Sequence, residues 1–307
     1  MRVMNFVFVP LFLLAVLALP AHGARVVDSQ GERVFDAVPQ RVVALSWSQV
    51  EQLISLDIAP VGVADPDGYN AWVVEPTLPA EVADVGQRHQ PNFERIAELA
   101  PDVIVVSDDQ IDFKKKLERI APVVHFDSFS EDHDNVAFSR ASYLALAELF
   151  ERQTLAEARL DAQDARIAEL AEAVQAHFGG TLPKATVVRF LDRKRAAVYG
   201  DNGMTTHVME AFGFESEYPI GPSTWGLAIK KVPDLGRVET GYLLHILPFD
   251  QQDRLFATRL WQSMPFAKHD RVVTLPSVWT YGGALSVGRI AELIADAMLA
   301  VSPPRAE

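Results

Sequence analysis

TLAEARLDAQDARIAELAEAVQAHF, residues Thr154–Phe178, reads as one long helix. It holds no Gly and no Pro, and Ala, Leu, Glu, Arg and Gln, all strong helix formers, dominate it. Thr154 and Glu157 have the spacing of a capping box, in which hydroxyl and carboxylate satisfy free amides at a helix start. Gly179-Gly180 and then Pro183 stop it. Leu160, Ile167, Ala171, Val174 and Phe178 fall on one apolar stripe, while Glu157, Asp161, Asp164, Glu169 and Glu172 face water. At 1.5 Å per residue the rod is roughly 37 Å long, about the width of a small domain.

Strands alternate with helices on both sides of the rod. Before it, the chain reads as a hairpin over Arg25–Val38 and strands at Arg41–Ser46, Pro60–Ala64, Asp102–Val106 and Val123–Phe126. Helices are expected at Gln49–Leu56, Pro91–Leu99, Lys114–Ile120 and Phe138–Arg152. After it come strands at Ala185–Phe190, Ala197–Tyr199, Tyr242–Leu247 and Arg271–Leu275, with helices at Met204–Phe212, Leu255–Met264 and Val287–Val301. The pattern predicts an α/β protein: two Rossmann-like lobes with largely parallel sheets, joined by one long rigid helix. The divisions are 24–153, 154–178 and 179–307. A stiff link favours small rocking over wide hinge closure.

Residues 1–23 stand apart. Arg2 precedes an apolar run from Val3 to Leu19, and Ala21 and Gly23 suit the −3 and −1 positions of a secretory cleavage site. A retained membrane anchor is the competing reading; the interruptions at Asn5 and Pro10 and the short run favour an exported, cleaved signal peptide. The chain has no cysteine, so it holds neither a disulfide nor the thiol that a lipid anchor needs, and a soluble periplasmic protein is expected. About half the residues are apolar, 49%, enough for sizeable cores. A formal charge of −13 argues against nucleic acid as a partner.

No G-x-S-x-G, H-E-x-x-H or Walker A lysine is present. Gly200-Asp201-Asn202-Gly203 lies between a strand and a helix but lacks dinucleotide-binding spacing and reads as a tight turn. The 8 histidines are scattered, so a bare metal ion would need a site assembled from distant side chains. Asp108-Asp109, at a strand end, reads as a solvated turn.

The aromatic residues are more informative. Tyr69 and Trp72 fall in a loop after the second core strand, Trp225 in the turn-like Pro222–Gly226, and Trp279 and Tyr281 in Pro276–Gly283. Each could cover a core edge. All lie past the C-terminal ends of strands, where α/β sheets bind ligands, and together they favour the wall of a broad inter-lobe pocket. Trp47 and Trp261, among helical neighbours, are assigned to the core. Arg88, in the loop Asp84–His89, suits either a surface ion pair or a grip on an oxygen-rich ligand.

Those loops carry a resemblance. Tyr69–Pro79, Asp84–Arg88, Trp261–Phe266 and Val278–Ser286 are similar to the corresponding runs of periplasmic ferric-hydroxamate siderophore binding proteins. Pro91–Ile96 and Pro101–Ile104 fit the wider family for iron siderophores, haem and cobalamin. The likeness spans nearly all of the mature chain. It implies two lobes bridged by a long helix, no catalysis and no cofactor. The ligand would be a ferric siderophore, captured in the periplasm by a monomer and passed to an inner-membrane ABC permease. It implies that Arg88 bonds the oxygens around iron and that Trp72, Trp225, Trp279 and Tyr281 line the pocket. Glu94 and Asp234 match the carboxylates, one per lobe, that meet the permease; both also suit a helix start electrostatically. Where the family has a tyrosine after the third strand, this chain has Ser107-Asp108-Asp109-Gln110-Ile111. Two other readings stay open: a binding protein for a catecholate siderophore, haem or cobalamin, and an enzyme on a chelatase-like two-lobe scaffold. The enzyme would need paired acid–base or metal-ligating residues in the cleft.

Overall fold

A computed structural model describes residues 23–303; apart from Gly23, the expected signal peptide lies outside the described residues. The first lobe opens with an antiparallel hairpin of β1 (Ala24–Asp28) and β2 (Gly31–Phe35). Then follow β3 (Val42–Ala44), α1 (Trp47–Ile54), β4 (Gly62–Val63), α2 (Pro66–Trp72) and β5 (Ala83–Asp84). A small hairpin, β6 (Gly86–Gln87) and β7 (Gln90–Pro91), leads into α3 (Phe93–Glu98) and β8 (Val103–Ser107). A 3-10 turn over Asp108–Phe113, α4 (Lys114–Leu117), β9 (Val123–Phe126) and α5 (Asn135–Leu149) complete it.

The central sheet has the order β5-β4-β3-β8-β9, with every neighbouring pair parallel. Its side chains alternate between two buried clusters: Val42, Ala44, Val103 and Val105 pack on one face, Val43, Leu45, Ile104 and Val106 on the other. That period of two with burial on both sides explains the unbroken apolar runs. Chain order reverses between β3 and β8, and the strand ends beside that reversal open toward the second lobe.

The rod is α6 (Gln153–His177), starting one residue before the expected position. Its N-cap is Arg152 and no side chain caps it, so the expected Thr154–Glu157 capping box does not form. Arg152 N donates to Ala147 O of α5 at 2.7 Å, and Arg152 O accepts from Ala156 N at 2.9 Å, so the helix begins before Thr154 can cap it. Gly179 and Gly180 take φ of 65° and 82°, the left-handed conformation that ends a helix. Ala156 and Leu160 enter the core of the first lobe, and Leu170, Ala171, Val174 and Phe178 that of the second. One helix is thus part of two cores, and bending it would open both.

The second lobe contains β10 (Ala185–Phe190), β11 (Arg195–Tyr199), α7 (Met204–Phe212), β12 (Leu227–Lys231), a 3-10 turn over Val232–Arg237 and β13 (Tyr242–Ile246). It ends with α8 (Gln252–Phe256), α9 (Arg259–Gln262), α10 (Pro265–Lys268), β14 (Val272–Leu275) and α11 (Ser286–Leu299). The sheet order is β12-β11-β10-β13-β14. β10, β13 and β14 are parallel, whereas β11 and β12 extend the sheet as an antiparallel pair. The single helix expected over Leu255–Met264 is two short ones, α8 and α9, because Thr258 caps a new start; Pro265 then opens α10 beyond that range. Trp261 is core as expected, 4% exposed and stacked on Phe256 at 4.1 Å.

A buried polar seam joins the lobes. Glu51 of α1, 1% exposed, accepts hydrogen bonds from Ser286 and Arg289 of α11. Burial raises its pKa from the ordinary value, with Arg289, Ser286 and the Gly283 amide opposing that shift. Gln163 of α6 accepts from the Gly288 amide at 2.9 Å and donates to Ala284 O at 3.1 Å. The Gly200–Gly203 turn contributes Asn202, which donates to Ser130 O of the first lobe at 2.8 Å.

His245 on β13 is fully buried between Phe190 and Phe256, with Nε2 at 2.9 Å from Thr274 Oγ1. Burial lowers its pKa to about 4. Between pH 6.5 and 4 the unfolded chain therefore binds a proton that the folded one does not. The stability this confers is full above pH 6.5 and is lost as the pH falls toward 4, about 3 kcal/mol in all. In His245→Phe, unfolding free energies measured by denaturant across that range are expected to fall less steeply with acid; an unchanged slope contradicts this account.

Candidate functional site

A cleft of about 580 Å³ lies between the lobes. The first lobe lines it from its strand ends: Trp47 after β3, Asp65 and Trp72 after β4, Arg88 and His89 in the β6–β7 turn, and Asp109 after β8. The second contributes Arg189 and Leu191 at the end of β10, Leu227 and Ile229 of β12, Trp225 before it, and Trp279 and Tyr281 between β14 and α11. Trp72, Arg88, Trp225, Trp279 and Tyr281, singled out in the sequence, all line this one cleft.

Local chemistry fixes each of them. Trp72 sits on α2, not in the expected loop: Asp65 caps that helix through the Gly68 amide at 3.2 Å and Pro66 starts it. Gly68 is required there, since a Cβ would come within 2.6 Å of Trp47. Tyr69, one turn earlier on α2, is core, its hydroxyl donating to Pro76 O at 2.7 Å. Trp225 is held by Ser223, whose hydroxyl donates to Leu227 O at 2.8 Å, and its ring stacks on Phe129 at 5.3 Å.

The aromatic rings form a continuous edge-to-face series across the lobes. Trp279 meets Trp47 at 4.9 Å, Trp72 at 6.3 Å and Tyr281 at 5.1 Å; Tyr281 meets Trp225 at 5.6 Å. Such pairs contribute roughly 0.5–1.5 kcal/mol each beyond area burial. Trp225, Leu191 and Ile229 remain 42%, 45% and 57% exposed, an apolar wall open to a ligand. Burial pushes the Tyr281 phenol far up, so its hydroxyl stays protonated.

Arg88 lies over the face of Trp47, with Cζ at 3.7 Å from the ring centroid, and 5.6 Å from that of Trp279. Burial lowers its pKa, opposed by the carboxylates of Asp109 and Asp65. Its guanidinium makes no ion pair within 4 Å among the described residues, so the surface-pair alternative for Arg88 does not hold. Gln110 donates to Arg88 O at 3.3 Å and fixes the turn. The Asp108-Asp109 pair is divided: Asp108 accepts from Ser128 N at 3.0 Å and contacts His125, whereas Asp109 faces the cleft.

Two contributors are not apparent from sequence reasoning. Trp47, assigned there to the core, is 3% exposed but forms the floor under Arg88. Arg189, 3% exposed, donates from Nη2 to Val278 O at 2.5 Å and from Nε to Tyr199 Oη at 3.3 Å; its Cζ is 5.3 Å from the Trp72 ring centroid. Its signal was a lone arginine in the apolar run Ala185–Phe190, where a strand end meets the cleft. Among the described residues no group of three or more His, Asp or Glu side chains could hold a metal ion. Glu94 and Asp234 lie outside the cleft, exposed, in the first turns of α3 and of the Val232–Arg237 turn, one on each lobe.

The periplasmic binding protein family matches residues 42–235. The iron(3+)-hydroxamate-binding protein FhuD of Escherichia coli K12 is 32% identical over 267 residues, 85% of this chain and 87% of that one. The crystal structure of the Fe3+-Desferal-bound siderophore binding protein FhuD from Vibrio cholerae superposes with a TM-score of 0.84 at 39% identity, covering 86% of this chain and 99% of that one. The periplasmic catecholate-siderophore binding protein VctP from Vibrio cholerae, at 20% identity and a TM-score of 0.68 over 91% of this chain and 100% of that one, shares the fold. The chain belongs to the periplasmic binding protein family, in which its nearly full-length relatives are siderophore-binding proteins.

Proposed function

We propose that this protein binds a ferric hydroxamate siderophore in the inter-lobe cleft, in the periplasm and as a monomer, and delivers it to an inner-membrane ABC importer. It is a carrier, not an enzyme. The observation that carries this reading is the meeting of Trp72 and Arg88 from one lobe with Trp225, Trp279 and Tyr281 from the other around one cavity. A hydroxamate chelate already fills the coordination sphere of its iron, so the protein need supply no metal ligand. Indole rings pack against the organic backbone, and the Arg88 guanidinium donates to the oxygens around iron. Broad aromatic walls of this kind tolerate varied backbones.

Titration of the protein with ferric hydroxamate, ferric catecholate, haem and cobalamin, read by intrinsic tryptophan fluorescence, tests this. Saturable quenching by the hydroxamate is expected. Quenching by haem, with none by any hydroxamate, would overturn the reading.

Delivery needs contact with the permease, and Glu94 and Asp234 are the exposed carboxylates proposed to make it. Glu94→Lys and Asp234→Lys should leave siderophore binding within about twofold, because neither touches the cleft. Iron uptake by cells dependent on this protein should fall at least about tenfold, as like charges meet across the interface. Normal uptake in both variants removes the docking role.

A further inference from the structure

We propose that Arg189 makes the cleft selective for ferric chelates that carry net negative charge. This rests on the siderophore reading above and names the ligand class more narrowly. The charges lining the cleft divide unevenly. On the first lobe Arg88 faces Asp65 and Asp109, whose carboxylates offset it. On the second, Arg189 is the one charged side chain among the described lining residues, set with Leu191, Ala197, Leu227, Ile229 and Trp225. No carboxylate lies within ion-pair distance of it among the described residues, and its Nη1 is buried without a hydrogen-bond partner.

The rest of the guanidinium is committed. Nη2 donates to Val278 O and Nε to Tyr199 Oη, contacts that hold the plane beside Trp72, while Nη1 is buried and unpaired behind the cleft wall. An unpaired cation in apolar surroundings interacts with an anion far more strongly than one in water. Three hydroxamates carry three negative charges and neutralise Fe3+, so a plain ferric tris-hydroxamate presents no charge to this wall. A chelate with an added carboxylate, or with a hydroxycarboxylate replacing one hydroxamate, does present one. That charge is attracted to the Arg189 guanidinium, whose own charge no carboxylate offsets.

Three ferric tris-hydroxamates of one linear scaffold, ending in a carboxylate, a methyl amide or an ammonium group, serve as probes. With the unaltered protein, tryptophan fluorescence titration should rank carboxylate over amide over ammonium, the carboxylate binding at least about tenfold tighter than the amide. Arg189→Met should reduce that ratio to about twofold or less, and Arg189→Lys should keep the order. Damage to the Val278 segment would weaken all three probes alike, so the ratio reports charge recognition and not folding. Equal affinities in the unaltered protein, or a preference surviving in Arg189→Met, would overturn the proposal. If none of the probes binds the unaltered protein, the siderophore reading itself fails and this inference falls with it.

Discussion

Replacing Arg88 by Ala is expected to weaken ferric hydroxamate binding about 100-fold, on the order of 3 kcal/mol, with little change in melting temperature. The guanidinium is held by the faces of Trp47 and Trp279 and by two carboxylates that act at a distance, so its donors are free for a ligand. Its removal deletes charge-assisted hydrogen bonds that no neighbour on the same lobe replaces. The fold should tolerate the change, because Arg88 is half-buried and its side chain closes no hydrogen bond among the described residues. The turn survives through backbone contacts, including the Gln110 bond to Arg88 O, which does not depend on the side chain. Equilibrium titration and thermal melting together check this. Unchanged affinity would take Arg88 out of the site, and a collapsed melting temperature would make it structural.

The second large effect is on stability. Glu51→Ala should cost about 3–5 kcal/mol of unfolding free energy, because it leaves the Arg289 cation without its buried partner. It also strips acceptors from the Ser286 hydroxyl and the Gly283 amide, which open the segment leading back to Trp279 and Tyr281. The double change Glu51→Leu with Arg289→Leu should restore most of the loss, since neither charge then stays buried alone. Denaturant unfolding measures both. A loss below about 1 kcal/mol in Glu51→Ala would mean that the seam does not hold the lobes together.

Much of this was legible in the sequence because the governing signals are local. The rod is uninterrupted helix former between glycines, and the buried strands are short β-branched runs. Trp72 and Trp279 follow strand ends, where the fold places ligands, whereas Trp225 follows α7 and precedes β12, so the strand-end expectation does not hold for it although it lines the same cleft. What escaped depended on tertiary contact. β12 gave no strand signal because no residue in it is fully buried: Leu227 packs only partly against the core and also lines the cleft, and Ile229 is exposed there. Trp47 looked like core because it is core on one side and a platform for Arg88 on the other. Arg189 was hidden in a strand that is buried along its whole length, where a lone charged residue reads as an exception and not as a site. The Thr154 cap failed because α6 starts one residue earlier, at Gln153 with Arg152 as N-cap, which puts Thr154 inside the helix. Glu51 on α1 meets α11 from the far end of the chain, a pairing that no local pattern announces.

A crystal structure of the protein with a ferric tris-hydroxamate tests the central claim most directly. The chelate should sit between Trp72 and Arg88 on one side and Trp225, Trp279 and Tyr281 on the other, with all six iron ligands supplied by hydroxamate oxygens. Density outside this cleft, or a protein side chain bound to the iron, would contradict the account.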